Sequence, residues 1–252
     1  MIGADLSGRR VLVTGASSGI GLATVAIFAR NGATVALNHL PDDPRGPEEA
    51  ARLAGAGFSV IALPGDVSRA GEAEAMVAAG IDRLGGLDVL VNNAGTSGTT
   101  TPIAFEDLDA MTEDFWATIL ATNLLGPFRC AKAAAATLKA SRGAIVNTAS
   151  VAGLGRRGSS VAYSASKAGL INLTRSLARA LAPDVRVNAV APGLVATPWT
   201  EPWSEERKAS TVGRTMLGRM ARPEDIAETI FSLGAGAAYI TGETITVDGG
   251  AI

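Results

Sequence analysis

The sequence predicts an α/β fold in which a parallel sheet of about seven strands carries helices on both faces. Short apolar runs rich in β-branched residues recur along the chain, and the first six lack strict alternation, as expected for strands buried on both faces. Roughly 20 residues or more separate successive runs, which is enough for a crossover helix. The predicted strands are residues 10–14, 34–38, 59–64, 88–92, 144–148, 185–191 and 244–247.

One domain spanning residues 1–252 is predicted, because doubly wound α/β proteins of this length fold as one unit and no Pro/Gly/Ser-rich linker divides the chain. The turn-rich stretch 40–50 is interpreted as a surface loop. The stretch 194–216 follows the sixth strand and is rich in Trp, Thr and Arg. Loops past the carboxyl ends of strands form the ligand crevice of such sheets, so 194–216 is predicted to bind the substrate.

Composition argues against several classes of function. The net charge is −2 and the 22 Lys and Arg residues are scattered, which disfavours nucleic-acid binding. The sequence lacks both an apolar signal segment and a run of about 18 apolar residues, so no membrane association is expected and a cytoplasmic location is predicted. With Cys130 as the single cysteine and His39 as the single histidine, a disulfide, a zinc site and a Ser-His-Asp triad are all disfavoured, and no metal is predicted.

A glycine-rich turn joins the first strand to the first helix. Gly15, Gly19 and Gly21 have the spacing T-G-x-x-x-G-x-G, and no G-K-[ST] follows. Glycines at this junction let backbone N–H groups approach a pyrophosphate at a helix N-terminus, so a bound dinucleotide is favoured over a nucleoside triphosphate. The alternative is that these glycines only allow close packing.

The segment YSASK, residues 163–167, is compatible with two chemistries. Ser164 and Lys167 have the S-x-x-K spacing of a serine acyl-transfer nucleophile and its lysine. Tyr163 and Lys167 have a Y-x-x-x-K spacing that places both on one helix face. The S-D-N and K-T-G elements that accompany the first chemistry are absent, and Ser164 points away from the face that Tyr163 and Lys167 share, so the second is favoured.

Further motifs occur in a fixed order: GDV at 65–67, NNAG at 92–95, Ser150 thirteen residues before Tyr163, and APGLVATP at 191–198. Together with the glycine turn and Y-x-x-x-K, they resemble the short-chain dehydrogenase/reductase family over essentially the whole chain. The resemblance implies a doubly wound Rossmann fold and an NAD(P)-dependent oxidoreductase that acts on a carbonyl or secondary alcohol. Its catalytic positions correspond to Asn123, Ser150, Tyr163 and Lys167.

The resemblance also implies the cofactor contacts. Asp66 corresponds to the adenine contact, the NAG residues to a wall beside the ribose, and Val195 and Thr197 to the contacts of the nicotinamide carboxamide, whereas Asn92 corresponds to a structural link between strands. The full set of implied cofactor-binding residues is Gly15, Ser17, Ser18, Gly19, Ile20, Gly21, Asn38, His39, Asp66, Val67, Asn93, Ala94, Gly95, Tyr163, Lys167, Pro192, Gly193, Val195 and Thr197.

The chemistry requires a proton donor or acceptor at the substrate oxygen, and Tyr163 is the candidate. A free phenol has a pKa near 10, and an ammonium group about 4 Å away contributes roughly 4 kcal/mol toward ionisation at an effective dielectric of about 20. Lys167 is therefore expected to lower the pKa of Tyr163. Ser150 is expected to stabilise charge on the oxygen. By resemblance, Asn123 holds a water that connects Lys167 to solvent.

The residues after the second strand favour NADP over NAD. Asn38 and His39 stand where an acidic residue would hold the ribose 2′-hydroxyl of NAD. Asn38 or Arg45 is expected to contact a 2′-phosphate, although Asp42 and Asp43 also lie near enough in sequence to approach the ribose.

Substrate identity stays open at this level, between 3-oxoacyl reductase and sugar dehydrogenase branches of the family. The substrate wall is expected from residues 95–102, 152–157 and 194–216. Its aromatic side chains favour an apolar pocket, while its arginines are compatible with an acidic substrate. The side chains singled out are Trp199, Trp203, Met216, Arg156 and Arg157.

Two further alternatives concern activity and assembly. A non-catalytic dinucleotide-binding redox sensor shares the fold but has no need of the four catalytic positions. By resemblance, the Ala-rich helix near 128–140 and the helix that carries Tyr163 pair with their copies in a homotetramer or homodimer.

Overall fold

Seven parallel strands form one sheet in the computed structural model, which describes residues 4–251. The sheet order is β3-β2-β1-β4-β5-β6-β7, and every neighbouring pair is parallel. The predicted α/β fold is confirmed. The strands are β1 Arg10–Val13, β2 Thr34–His39, β3 Val60–Pro64, β4 Val89–Asn92, β5 Ala144–Thr148, β6 Arg186–Pro192 and β7 Thr244–Val247.

Helices cover both faces of this sheet. One apolar layer packs α1 and α8 against the strands and includes the ring pair Phe28 and Phe231, with centroids 5.1 Å apart. The other layer contains Met76, Leu138 and Leu181 from α3, α5 and α6. The helices are α1 Gly19–Arg30, α2 Arg45–Gly55, α3 Glu72–Leu84, α4 Glu113–Leu120, α5 Gly126–Ser141, α6 Val161–Leu181, α7 Glu205–Val212 and α8 Pro223–Ala235.

The direction of winding reverses between β1 and β4. The chain proceeds from β1 outward to β3 on one side, then returns to β4 beside β1 and proceeds to β7 on the other side. The crevice outside the carboxyl ends of the strands at such a switch point is where doubly wound sheets bind ligands. The topology therefore brings the ends of β1 and β4 to one edge, with the ends of β2, β5 and β6 beside them.

Two predicted loops contain helices. Within 40–50, α2 already begins at Arg45, because Pro44 precedes the helix and Pro47 lies in its first turn, where the N–H that proline lacks has no intrahelical partner. Within 194–216, α7 spans Glu205–Val212, with the Ser204 hydroxyl accepting from the Arg207 amide. Over residues 4–251, none of the helices combines the length and the apolar character needed to cross a membrane.

Candidate active site

A cleft of about 1170 Å³ lies at the carboxyl edge of the sheet. It is lined by the β1–α1 turn and by the segments that follow β2 to β6. All the predicted site residues line this cleft except two, Gly21 and Asn123, which lie behind its wall. The structure thus brings together residues that are up to 182 positions apart in the sequence, from Gly15 to Thr197.

Glycine is required at the three positions of the turn for different physical reasons. A Cβ on Gly15 would lie 2.7 Å from the Ala94 Cα, and a Cβ on Gly21 would lie 2.4 Å from the Gly15 carbonyl oxygen, so close packing alone requires glycine at both. Gly19 has φ +54° and faces Thr197 across the cleft, where a Cβ would lie 3.1 Å from the Thr197 Cγ2. The packing alternative therefore accounts for Gly15 and Gly21 but not for Gly19.

The N-terminus of α1 opens into the cleft at Gly19. The N-cap residue Ser18 makes no side-chain cap hydrogen bond, so the first backbone N–H groups of the helix are not capped by it. With the partial positive charge of the helix dipole, these donors suit an anionic group such as a pyrophosphate.

Asn38 and Asn93 line the cleft, but their carboxamides are bound to protein backbone. Asn38 is buried; its Oδ1 accepts from the Gly15 amide at 3.2 Å, and its Nδ2 donates to the carbonyl oxygens of Leu63 and Gly65. The Asn93 Nδ2 donates to the Gly15 carbonyl oxygen at 3.0 Å. These side chains therefore shape the turn, and the contact with a 2′-phosphate suggested for Asn38 does not match its surroundings.

An acidic residue does reach the turn from beyond β2. The Asp43 Oδ2 accepts a hydrogen bond from the Ser17 Oγ at 2.7 Å, and its Oδ1 accepts one from the Arg45 Nε at 2.8 Å. The hydrogen bond from Arg45 is the main cause that lowers the pKa of Asp43 to about 2. Asp43 could not be distinguished from Asp42 by sequence, because its contact with Ser17 spans 26 residues and is visible only in the fold.

Tyr163, Lys167 and Ser150 meet in the same cleft. Tyr163 lies in the first turn of α6, where its amide donates to the N-cap Ser160 Oγ at 3.0 Å. Lys167 is buried one turn later, and its Nζ lies 5.8 Å from the Tyr163 ring centroid and donates to the Thr148 carbonyl oxygen at 2.8 Å. Ser150 follows β5, its Oγ accepts from the Ala152 amide at 3.2 Å, and its hydroxyl lies near enough to the Tyr163 phenol to affect the pKa of that group.

Burial dominates the protonation of this pair. It raises the pKa of Tyr163 to about 12, against a smaller lowering by the nearby Ser150 hydroxyl. It lowers the pKa of Lys167 to about 8. The expected net lowering of the pKa of the phenol by the ammonium group is wrong for this arrangement, because both groups are withdrawn from water and the ammonium is directed at the Thr148 carbonyl oxygen.

Ser164 lies outside the cleft lining. Its Oγ donates to the Ser160 carbonyl oxygen at 2.9 Å, one turn earlier in the chain. The Lys167 Nζ is directed at Thr148 instead. The prediction that Ser164 points away from the Tyr163–Lys167 face is confirmed, and the geometry does not suit acyl transfer through Ser164.

Asn123 lies in a π-helical turn, Ala121–Leu125, between α4 and α5. Its carboxamide is fully buried and bonds to the backbone of Thr96 and to the Ser166 Oγ. A Cβ on Gly95 would lie 3.3 Å from the Asn123 Oδ1 and 3.5 Å from the Lys167 Nζ, so the two polar groups converge behind the cleft wall. The water relay stays a prediction, because the Asn123 carboxamide bonds to Thr96 and Ser166 of the protein itself.

The substrate half of the cleft is aromatic and basic. Trp199 contacts the Tyr163 ring edge to face, with centroids 5.9 Å apart. Trp203 lines the same wall, whereas Met216 is 77% exposed and does not line the cleft, so its predicted place there is wrong. Sequence reasoning missed Arg207, which lies on α7 in a segment that was expected to be irregular.

Asn92 has the predicted structural role, since its Nδ2 donates to the Asn147 Oδ1 at 2.9 Å and links β4 to β5. Within residues 4–251, His, Cys, Asp and Glu side chains form no group of three or more that suits a metal ion.

Comparisons with known proteins find relatives that match nearly the whole chain. The family model described as enoyl-(acyl carrier protein) reductase matches residues 15–251. A 3-oxoacyl-acyl-carrier-protein reductase from Synechocystis sp. is 38% identical, covering 98% of each chain. A cis-4-hydroxycyclohexanecarboxylate dehydrogenase from Sinomonas cyclohexanicum is also 38% identical, covering 99% of this chain and 98% of its own.

Among solved structures, a protein from Burkholderia xenovorans assigned to the short-chain dehydrogenases/reductases superposes with a TM-score of 0.87 at 33% identity, covering 98% of each chain. Sequence and structure thus agree along nearly the full length. The chain therefore belongs to the short-chain dehydrogenase/reductase family of oxidoreductases.

Proposed function

We propose that the protein is an NADP-dependent reductase of a small carbonyl compound, with Tyr163 as the general acid in reduction and the general base in the reverse direction. The observation that carries this proposal is the convergence of the Tyr163 phenol, the Ser150 hydroxyl and the buried Lys167 ammonium in one cleft. The placement of the glycine turn in the same cleft supports a dinucleotide beside them.

The residues of the cleft fit a nicotinamide dinucleotide. Gly19 leaves the N-terminus of α1 open to a pyrophosphate, and Asp66 and Val67 line the side toward β3. Pro192, Gly193, Val195 and Thr197 line the opposite wall after β6. When bound, reduced nicotinamide supplies the hydride for the carbonyl carbon.

The protein's own part of the reaction is the proton. A pKa of about 12 keeps the Tyr163 phenol protonated at neutral pH, which is the form that donates to a carbonyl oxygen. The Ser150 hydroxyl, which lines the same cleft, is suited to donate to that oxygen and stabilise its negative charge. The Lys167 ammonium, 5.8 Å from the Tyr163 ring centroid, offsets part of the cost that burial imposes on the phenolate that remains after proton transfer, although burial still dominates the pKa of the phenol.

Arg45 supports NADP over NAD. Asp43 is already paired with Arg45 and Ser17, so its charge is largely compensated and repels a 2′-phosphate less. The Nε and Nη2 of Arg45 bond to Asp43, which leaves its other N–H donors for a phosphate oxygen. Arg45 and not Asn38 is proposed to contact the phosphate, because the Asn38 carboxamide already forms hydrogen bonds with backbone groups.

Assembly as a homotetramer or homodimer is part of the proposal, and a cytoplasmic location remains a prediction. Leu125, just before α5, and Phe128, in its first turn, are each 44% exposed, which supports an apolar contact with another copy. Sedimentation equilibrium measures the assembly, and a monomer at micromolar concentration would contradict it.

The test is oxidation of NADPH and NADH with a panel of small ketones, in the wild type and in Tyr163→Phe. The wild type should turn over with NADPH favoured, and Tyr163→Phe should lose at least about 100-fold in turnover while it keeps its cofactor affinity. Ser164→Ala is the control and should keep full activity. A protein that binds NADPH but oxidises it with none of the ketones would favour a redox sensor instead.

A further inference from the structure

Four arginines line the substrate half of the cleft, and they differ in how their charge is balanced. The Arg156 Nη2 lies 3.3 Å from the Asp248 Oδ2, and the Asp248 side chain is only 8% exposed. Arg214 is exposed. The remaining two, Arg157 and Arg207, lack such a buried carboxylate partner in the described part of the chain. The four lining arginines are Arg156, Arg157, Arg207 and Arg214.

Arg207 is a half-buried cation without a carboxylate partner. Within residues 4–251, its guanidinium forms no ion pair and no hydrogen bond. The guanidinium carbon lies 4.7 Å from the centroid of the Trp203 ring, and this cation–π contact is the stabilising contact that the structure shows for the charge. Burial, aided by the charge of Arg157, lowers the pKa of Arg207.

Arg157 brings a second cation to the same region. Its guanidinium carbon lies 5.4 Å from the Phe105 ring centroid, and its Nη2 lies 3.8 Å from the Glu106 Oε2. The side chains of Arg157 and Glu106 are largely exposed, at 66% and 80%, so this ion pair is weak. Another anion can therefore replace Glu106 beside Arg157. Two like charges that face one cleft repel each other unless an anion lies between them.

We propose that Arg207 and Arg157 bind an anionic group of the substrate, a carboxylate or a phosphate, while Trp199 and Trp203 contact its apolar body. This inference rests on the proposed function. A planar guanidinium stacked on an aromatic ring presents its N–H edges to such an anion in bidentate geometry. The anion has two possible sources, a carboxylate on a small ketone or a phosphate on the arm of an acyl thioester.

Matched substrate pairs separate the two sources. The first pair is 4-oxocyclohexanecarboxylate and its carboxamide. The second is acetoacetyl-phosphopantetheine and acetoacetyl-pantetheine, which differ only by the phosphate. In Arg207→Gln we expect KM for the charged member of one pair to rise about 10- to 100-fold, with KM for the neutral member and both kcat values within about twofold.

Three further variants complete the design. Arg157→Gln should raise the same KM by a smaller factor, and Arg207→Lys should restore part of the affinity, because it keeps the charge but not the bidentate edge. Arg30→Gln removes an exposed arginine at the end of α1, outside the cleft, and should change nothing. Circular dichroism should show the same melting profile for all variants.

A second measurement does not depend on turnover. Calorimetric titration of the protein with cyclohexanecarboxylate in the presence of NADP should show binding that weakens in Arg207→Gln but not in Arg30→Gln. This inference would be overturned if Arg207→Gln affected charged and neutral substrates equally, or if Arg207→Gln and Arg30→Gln bound the carboxylate with equal affinity. Either result would leave the proposed reductase function unaffected. Failure of the wild type to reduce any of the four compounds, or other ketones, would overturn the proposed function and this inference with it.

Discussion

The carboxamide of Asn123 forms a reciprocal pair of hydrogen bonds with the backbone of Thr96. Its Oδ1 accepts from the Thr96 amide at 2.8 Å, and its Nδ2 donates to the Thr96 carbonyl oxygen at 2.9 Å. The same Nδ2 lies 3.1 Å from the Ser166 Oγ on α6. One side chain thus ties the π-helical turn to the loop after β4 and to the helix that carries Tyr163 and Lys167.

Asn123→Ala should therefore destabilise the protein and disturb the active site together. The substitution removes both hydrogen bonds to the half-buried backbone of Thr96 and the one to Ser166, so we expect a loss of about 2–4 kcal/mol in the free energy of unfolding, measured by urea denaturation. Asn172→Ala makes the same chemical change on an exposed face of α6 and should have little effect. Similar losses for both variants would show that the hydrogen bonds to Thr96 contribute nothing specific.

The strands and the motif order were predictable from sequence. Each predicted strand ends within one residue of the observed strand, because a strand buried on both faces leaves an uninterrupted apolar run. The convergence of Ser150, Tyr163 and Lys167 in one cleft was also predictable, since the fold fixes where the end of β5 and the first turns of α6 lie. Local sequence patterns suffice to predict the strands and these three positions.

Contacts between distant segments were not predictable in the same way. The carboxamide of Asn38 forms hydrogen bonds with the backbone just after β3 and in the glycine turn, and Asp43 accepts one from Ser17. No local sequence pattern predicts either contact. The pKa of Tyr163 rose where a lowering was expected, because the effect of burial depends on the packed surroundings and not on the spacing of Tyr163 and Lys167. Side-chain direction in α7, which decides the place of Arg207, likewise follows from packing.

The lowered pKa of Lys167 makes stability depend on pH in the alkaline range. The folded protein releases this proton near pH 8, whereas the unfolded chain releases it near pH 10.5, so between these values the unfolded state binds more protons and stability rises with pH. Lys167→Met removes this titration. The free energy of unfolding of the wild type, relative to Lys167→Met, should increase by about 2 kcal/mol between pH 7 and pH 9.5.

Parallel urea denaturations at the two pH values measure this difference, and other titrating groups cancel because both proteins contain them. Tyr163, whose pKa is raised to about 12, begins to act only above pH 10 and does not interfere in this window. A constant difference between the two proteins would mean that the Lys167 ammonium is not desolvated as the structure indicates.

Arg45 should control the choice between the two nicotinamide cofactors. In Arg45→Gln we expect the Michaelis constant for NADPH to rise about 10- to 100-fold while that for NADH changes little, because only NADPH carries the phosphate. The freed Asp43 carboxylate adds repulsion of the same phosphate, since Ser17 is then its remaining side-chain partner. Steady-state rates with each cofactor measure both constants.

Arg52→Gln is the matched control, because this residue lies on the same helix and forms its ion pair with Glu49, away from the cleft. It should leave both Michaelis constants unchanged. If Arg45→Gln weakens NADH as much as NADPH, the guanidinium supports the shape of the loop and does not recognise a phosphate.

An ion cluster at the opposite edge of the sheet should affect stability without affecting catalysis. Asp88 immediately precedes β4, and its Oδ2 accepts from the amide and the Nε of Arg10 at 2.9 and 2.8 Å, while its Oδ1 accepts from Arg9 at 3.2 Å. Burial raises the pKa of this carboxyl, but the hydrogen bonds from Arg10 outweigh burial and lower it overall.

Asp88→Asn keeps the shape of the side chain and removes its charge, so we expect a loss of about 1–3 kcal/mol in the free energy of unfolding at pH 7. Because the folded pKa of Asp88 lies below the unfolded value, its contribution is present above about pH 4 and is lost as the pH falls through the folded value. The two proteins should therefore converge in stability in acid. Turnover and Michaelis constants should match the wild type, since Asp88 lies across the sheet from the cleft, and a change in either constant would indicate that this edge communicates with the active site.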